Sequence, residues 1–397
     1  QNVVLKRCGS SIGNLQVRHH LLTKDEVRKN WKVLLWLATA VTLIGVLLIP
    51  ARSGSADDVW YRLAGSDAER YIGMAQGDSI AYPWGGRWLV PSMASLVDGS
   101  PVGALQALNY LFLFLAVAAI TYLASAYASS AAAMVGAWAF TGTGVALLVL
   151  FQNPFLVDSA GLFVFALIGI AYRRESYWAL AGLVVLGVTV KEVVIGFLLL
   201  LLLRRRWREL AVSSVLSTGL LYYGVVSSAP GSALLPEFSG GLVVKLAFGL
   251  GAGWLLAAIA VLQISARFKA VGRQDLQYFS LTIVLSVAVL PLATDTSRLL
   301  VFALPAVVPL CAIALSESGK ARIAVGVMFA VPAVVSVIPS RLTYTLRPQP
   351  FEQLESWYSA NTELIAASAL LALIGAVVAS WPAILGLTNR HRVSDGS

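Results

Sequence analysis

Acidic side chains are concentrated in one polar stretch near the start of the chain, within residues 51–102. Five of them follow one another there: Asp57, Asp58, Asp67, Glu69 and Asp78. An ionised carboxylate can take a proton from a reacting hydroxyl, so each is a candidate general base. The alternative is a solvated loop whose acids cap helices. Ser66 followed by Glu69 fits a capping box, which predicts a helix over 66–76.

A pair of charged residues, Lys191 and Glu192, interrupts an apolar run of 27 residues over 177–203. A charge in the middle of a membrane helix costs about 2.5–3.5 kcal/mol on insertion scales, so such residues usually mark a functional site. Breaking the run at this pair predicts two short half-helices joined by a turn, and such a turn is tolerated only where it lines a protein cavity. The structural alternative is an internal ion pair that only stabilises the break.

Three further charged residues lie beside apolar runs. Asp295 and Arg298 are three positions apart, so they can pair across one helical turn. Alternatively, the planar guanidinium of Arg298 can bind a phosphate. Asp158 lies just inside a predicted helix start, where its carboxylate can interact with the helix dipole or orient a substrate hydroxyl.

The residue types that are scarce limit the chemistry further. The three histidines, His19, His20 and His391, all lie in the terminal segments, so no Cys/His metal site and no Ser–His–Asp arrangement is expected. No Walker or dinucleotide-binding glycine pattern occurs, and we predict no cofactor and no protein metal site. A divalent cation that assists the reaction is possible, but the sequence does not indicate one. Any reaction would therefore depend on carboxylates, lysine, arginine and tyrosine.

The elements that carry these residues are predicted to be membrane helices. Of 397 residues, 58% are hydrophobic and only 12% are charged, about half the charged fraction of a soluble domain. Several apolar runs reach the ~20 residues that cross a bilayer. The runs cover residues 33–50, 103–126, 131–150, 155–172, 177–203, 209–227, 241–266, 278–293, 298–316, 321–338 and 363–381. The composition thus predicts an all-α transmembrane bundle of about 11–12 spans.

The distribution of positive charge orients this bundle. The net charge of +9 comes from basic clusters at the ends of apolar runs, not from one basic face, which argues against nucleic-acid binding. Because cytoplasmic loops are rich in Lys and Arg, we assign the tails 1–32 and 382–397 to the cytoplasm of a plasma (inner) membrane protein. They flank a transmembrane domain, 33–381, whose large outer loops are 51–102 and 339–362. The aromatic residues of the first loop suit short interfacial helices.

Three short elements share a pattern with known proteins. Asp67, Tyr71 and Ala75 follow the spacing Asp-x-x-x-Tyr-x-x-x-Ala, and residues 87–91 read Arg-Trp-Leu-Val-Pro. Val157-Asp158 is followed downstream by Val190-Lys191-Glu192. Together these elements resemble the GT-C superfamily, the polytopic glycosyltransferases that use polyprenyl-phosphate sugars.

This resemblance implies a GT-C-like fold and an inverting sugar transfer at the extracytoplasmic face. Its base would be an aspartate of the first outer loop, either Asp67, Asp58 or Asp57. The leaving group would be a polyprenyl phosphate, whose developing charge needs cations. The outer-face candidates for that role are Arg87, Lys191 and Arg298, with Tyr71, Asp158, Glu192 and Asp295 as further substrate-binding candidates.

The implied partners are a polyprenyl-phosphate sugar donor, a glycan or lipid acceptor and the membrane lipids. The alternative function is a transporter or flippase of a lipid-linked or anionic solute, since broken helices with charged residues are common in transporters. Transporters tend to place charges at the midplane and to contain repeats. Here the charges gather in one outer layer, and no repeat is visible. The sequence identifies neither the sugar, the acceptor nor the linkage.

Overall fold

The computed structural model describes residues 67–97, 100–127, 131–141, 155–228, 272–288 and 299–317, with the single positions 150 and 257. Within these ranges the protein is helical and contains no strand. The α-helices are α1 (Asp67–Gln76), α2 (Leu89–Ser95), α3 (Pro101–Ser125), α4 (Ala131–Thr141), α5 (Asp158–Arg173), α6 (Tyr177–Gly187), α7 (Leu198–Leu203), α8 (Trp207–Ser227), α9 (Arg273–Ala288) and α10 (Leu304–Glu317). Short 3₁₀ helices cover Trp84–Gly86, Glu192–Phe197 and Leu300–Ala303.

Two of these helices, α3 and α8, are long and apolar enough to cross a membrane. Their 25 and 21 residues correspond to about 38 Å and 32 Å of helix, against a bilayer core of about 30 Å. The predicted spans 33–50, 321–338 and 363–381 lie outside the described residues, and of 241–266 only position 257 is described. The all-α prediction is therefore confirmed for the described part of the chain, and the number of spans stays a prediction.

Helix α8 turns its large apolar side chains away from the protein. It buries only the small residues Ser213, Ser217 and Gly224. By contrast, Val215 is 72% exposed and Tyr222 is 70% exposed. A helix on the surface of a water-soluble protein has the opposite arrangement, with its apolar face packed inward.

The segment over 177–203 reverses direction where its charges lie. At its beginning, the Tyr177 ring lies under the Arg206 guanidinium, 4.3 Å from the ring centroid. Just beyond its end, Arg204 Nε donates a 3.0 Å hydrogen bond to Tyr172 Oη. Since both ends of the segment lie together, the chain turns back between α6 and α7, at Lys191. We call residues 188–197, between these two helices, the reversal. The predicted break is confirmed; the side of the membrane on which it lies stays a prediction.

The predicted helix over 66–76 is also confirmed, as α1. Its sequence places Ala68, Tyr71, Ile72 and Ala75 on one side, and these residues are buried. Residue 66 lies outside the described residues, so its capping role stays a prediction.

Aromatic rings form the centre of the core. Phe165 of α5 packs edge-on against Phe197, with ring centroids 4.8 Å apart, and lies 5.0 Å from Phe302. Glycine is required where α5 passes α9, because a Cβ on Gly169 would lie 2.4 Å from the ring of Tyr278. This packing joins the reversal, α5 and α9 into one unit.

The helices connect two polar ends. Helix α5 runs from Asp158 at one end to Arg173 at the other. We call the end with Asp158 and Lys191 the ion-pair end, and the end with Arg173 and Arg204 the arginine end. Helix α8 begins at the arginine end and reaches the ion-pair end, where a Cβ on Gly224 would lie 3.0 Å from Gly86 Cα.

Candidate functional site

Helix α1 presents two of the predicted site residues on one face. Asp67 and Tyr71 are four positions apart, which places them one turn apart on the same side of a helix. Tyr71 is 1% exposed, whereas the Asp67 side chain is 23% exposed. The carboxylate therefore lies at the surface of the site and the phenol lies beneath it.

Trp84 holds the Asp67 carboxylate in place. Its indole Nε1 donates a 2.8 Å hydrogen bond to Asp67 Oδ1, and Arg70 Nη1 lies 3.7 Å from the same oxygen. The Arg70 guanidinium stacks over the indole, 3.5 Å from the ring centroid. Sequence reasoning did not single out Trp84 or Arg70 as site residues; the only signal was the high aromatic content of the loop.

Arg87 joins the first loop to the reversal. Its Nε donates to both carboxylate oxygens of Glu192, at 2.9 and 3.2 Å. Its Nη1 donates a 2.9 Å hydrogen bond to Tyr71 Oη. The side chains of Arg87 and Glu192 are only 11% and 22% exposed, so solvent screens this pair weakly.

The pKa values of Arg87 and Tyr71 reflect this environment. Burial lowers the pKa of the Arg87 guanidinium, but the Glu192 carboxylate and Tyr71 outweigh burial and raise it well above its usual value. Burial raises the pKa of the Tyr71 phenol, which Arg87 opposes only in part. Arg87 is therefore a permanent cation and Tyr71 a neutral phenol.

Lys191 and Asp158 form a second ion pair, deeper in the protein. Lys191 Nζ lies 2.7 Å from Asp158 Oδ1, and the two residues are 5% and 1% exposed. Nζ also lies 5.5 Å from the ring centroid of Phe302. The carboxylate occupies the first position of α5, where the helix dipole favours a negative charge.

The backbone ties the same segments together. Leu89 N, at the start of α2, donates a hydrogen bond to Thr189 O in the reversal, at 3.4 Å. The contact between Arg87 and Glu192 joins the same two segments. The first loop is therefore attached to the reversal through both side chains and main chain.

The structure brings most of the predicted site residues together. At the ion-pair end, Arg87 contacts Tyr71 and Glu192, and Lys191 contacts Asp158. Asp67 lies one helical turn from Tyr71 and contacts Trp84. Asp57, Asp58, Asp295 and Arg298 lie outside the described residues, and their roles stay predictions. At the break, Lys191 pairs with Asp158 and Glu192 pairs with Arg87, each from a distant segment. The alternative that ion pairing here only stabilises the break stays a prediction.

The arrangement contains a partly exposed acid, Asp67, and two cations that are paired with carboxylates, Arg87 and Lys191. Asp67 is positioned by a donor and partly open to solvent, as a general base requires. Arg87 and Lys191 already face carboxylates, so a phosphate at Arg87 would compete with Glu192 for the guanidinium. Among the described residues, no group of three or more His, Cys, Asp or Glu side chains could hold a metal ion.

No model of a known protein family matches the chain. No curated protein and no solved structure shows significant similarity to it.

Proposed function

We propose that this chain is a multi-pass membrane glycosyltransferase of the GT-C type, which transfers a sugar from a polyprenyl-phosphate donor to an acceptor at the extracytoplasmic face. The observation that carries the proposal is the convergence of Asp67, Arg87 and Lys191 at one end of an apolar helical bundle. Asp67 and Arg87 come from the first loop, and Lys191 comes from a distant segment of the chain. Buried charge in such a bundle is costly and usually serves a function.

The membrane placement is supported by the two ends of the molecule. Arginines are concentrated at the end opposite the ion pairs, and positively charged ends of membrane helices lie in the cytoplasm. The proposal therefore has the ion-pair end outside and, from the basic tails of the sequence, both chain termini inside. The outward apolar side chains of α8 fit contact with lipid, while its small buried residues allow close packing against the protein.

In the proposed reaction, Asp67 takes the proton of an acceptor hydroxyl as its oxygen attacks the anomeric carbon. The bond between that carbon and the phosphate oxygen breaks, and its electron pair stays on the polyprenyl phosphate. Trp84 would keep the carboxylate oriented throughout. Arg87 would stabilise the phosphate charge after exchanging Glu192 for the donor, since its planar group can bind either anion.

The test uses membranes that contain the full chain and a short-chain polyprenyl-phosphate hexose carrying a labelled sugar. We expect the Asp67→Asn variant to transfer label at least about 100-fold more slowly than the wild type, the loss typical of a missing general base. The matched control is Asp78→Asn, which removes an exposed acid of the same loop and should leave transfer unchanged.

Three results would contradict the proposal. Full transfer by Asp67→Asn would exclude Asp67 as the base. Full transfer by Asp57→Asn and Asp58→Asn as well would end the proposal that an aspartate at position 57, 58 or 67 is the base. Movement of the labelled lipid across a liposome membrane without transfer of its sugar would indicate a transporter.

A further inference from the structure

The arginine end carries positive charge that the described residues leave largely uncompensated. Helix ends and turns bring seven arginines there: Arg173, Arg174, Arg204, Arg205, Arg206, Arg208 and Arg273. The same segments contain three carboxylates, those of Glu175, Glu209 and Asp275. Within the described ranges, one ion pair forms at this end, between Arg173 and Asp275 at 3.1 Å.

Two helix–helix turns with the same backbone conformation build this end. After α5, Arg174 has φ −81° and ψ 3°, Glu175 has φ 55°, and Ser176 has φ −85° and ψ 73°. After α7, Arg204 has φ −93° and ψ 2°, Arg205 has φ 55°, and Arg206 has φ −88° and ψ 69°.

The middle residue of each turn is left-handed, a conformation in which helices usually end on glycine. This chain instead has a charged side chain at both positions, Glu175 and Arg205. Each of these side chains is exposed.

Tyrosine side chains contact the arginines of these turns, but they carry no negative charge that would neutralise the guanidinium groups. The Arg206 guanidinium lies over Tyr177, and Arg204 Nε donates to Tyr172 Oη. At the other turn, Arg174 Nη2 donates a 2.7 Å hydrogen bond to Tyr122 Oη. Since a tyrosine hydroxyl is neutral, each guanidinium keeps its full charge.

Exposed tryptophans place these turns at the edge of an apolar surface. Trp178, two residues after the first turn, and Trp207, directly after the second, are 59% and 60% exposed. Tryptophan is enriched where a membrane protein passes from lipid to water. Beyond Trp207, α8 continues with the exposed apolar side chains described above.

We propose that the two turns, residues 174–176 and 204–206, form a binding site for the phosphate of an anionic phospholipid. Guanidinium groups match phosphate oxygens, and basic pockets at the cytoplasmic ends of membrane helices suit anionic head groups. The adjacent tryptophans and apolar surface favour a lipid over a soluble phosphate compound. The inference rests on the membrane placement proposed above and not on the sugar-transfer chemistry.

The test measures lipid binding by the full chain purified in an uncharged detergent. Phosphatidylglycerol and phosphatidylcholine with the same acyl chains are titrated, and dissociation constants are taken from the shift in thermal unfolding. We expect the wild type to bind phosphatidylglycerol more tightly. Arg205→Gly should weaken that binding about fivefold, the effect of one basic residue near an anionic head group.

The matched control is Glu175→Gly, which makes the same backbone change in the other turn. Glycine adopts φ 55° readily, so neither substitution should disturb the fold. Because Glu175→Gly removes a negative charge, it should bind phosphatidylglycerol at least as tightly as the wild type. Asp67→Asn, at the other end, should bind it normally, so this site and the sugar-transfer proposal can fail separately.

Several outcomes would overturn the inference. One is equal binding of the two lipids by the wild type. Another is equal weakening by Arg205→Gly and Glu175→Gly, which would indicate a backbone effect and not charge recognition. Complete competition by inorganic phosphate at the same concentration as the lipid would identify a site for soluble anions.

Discussion

The two ends of the bundle differ in how deeply their charged side chains are buried and in whether an opposite charge faces them. At the ion-pair end, Lys191 is 5% exposed and its carboxylate partner Asp158 is 1% exposed. At the arginine end, the Arg173 side chain is 30% exposed. Several neighbouring arginines contact the rings or hydroxyls of neutral tyrosines. A charge removed from water needs an opposite charge, whereas a hydrated charge does not. Burial therefore decides which charges must be paired.

Helix α5 contains both arrangements. Its first residue, Asp158, is an acid and its last, Arg173, is a base, so both charges are favourable to the helix dipole. Yet the acid lies inside the protein and the arginine near its surface. The same helix thus allows the two environments to be compared by single substitutions.

The largest effect should follow from substituting Lys191 by methionine. This change leaves the Asp158 carboxylate buried opposite an apolar side chain, and breaking a buried pair in this way costs about 3–5 kcal/mol. The free energy of unfolding of the full chain in detergent measures the loss. The double variant Asp158→Asn/Lys191→Met should lose less than Lys191→Met alone, because no isolated charge remains. A double variant as unstable as the single one would show that packing, and not charge, dominates here.

An intermediate effect is expected at Gly187, where α6 packs against the returning chain. A Cβ there would lie 2.5 Å from Val194 Cγ1 and 2.9 Å from Val164 Cγ1. Both neighbours are β-branched and stiff, so Gly187→Ala should cost about 1–3 kcal/mol of unfolding free energy.

Gly182, on the same helix, provides the matched control. A Cβ there meets nothing within 4 Å, and Gly182→Ala should stabilise the protein by about 0.5–1 kcal/mol through helix propensity. Equal effects of the two alanines would mean that the packing near the ion-pair end is looser than the structure indicates.

The smallest effect should follow from Arg173→Gln at the arginine end. Its pair with Asp275 is partly hydrated, at 30% and 13% side-chain exposure, so its loss should cost at most about 1 kcal/mol. Thermal unfolding of this variant beside Lys191→Met tests the comparison directly. A loss for Arg173→Gln as large as that for Lys191→Met would remove the distinction between the two ends.

Local sequence patterns were sufficient for the helices that could be checked. The capping-box pattern of Ser66 and Glu69 predicted a helix where α1 lies, and the charged pair Lys191–Glu192 predicted the reversal of the long apolar run. Both predictions follow from local rules, helix capping and the cost of charge in an apolar segment. The same rules placed Asp158 near a helix start, where α5 begins.

These local patterns did not predict which side chains of the candidate site contact one another. Sequence reasoning treated Arg87 and Lys191 as cations available to a phosphate, but each faces a carboxylate. It did not predict the bond between Trp84 and Asp67, because an indole in an aromatic-rich loop looks like many others. At the arginine end it identified basic loops but not the repeated turn conformation.

The sequence by itself determined which segments are helical and apolar, and where charge must interrupt them, because these properties depend on neighbouring residues. Only the tertiary structure decided which charges meet. Arg87 and Glu192 are 105 positions apart, and Lys191 and Asp158 are 33 apart. Such pairs form because helix packing brings their segments together and excludes water between them, and no local pattern records which distant residue will lie opposite.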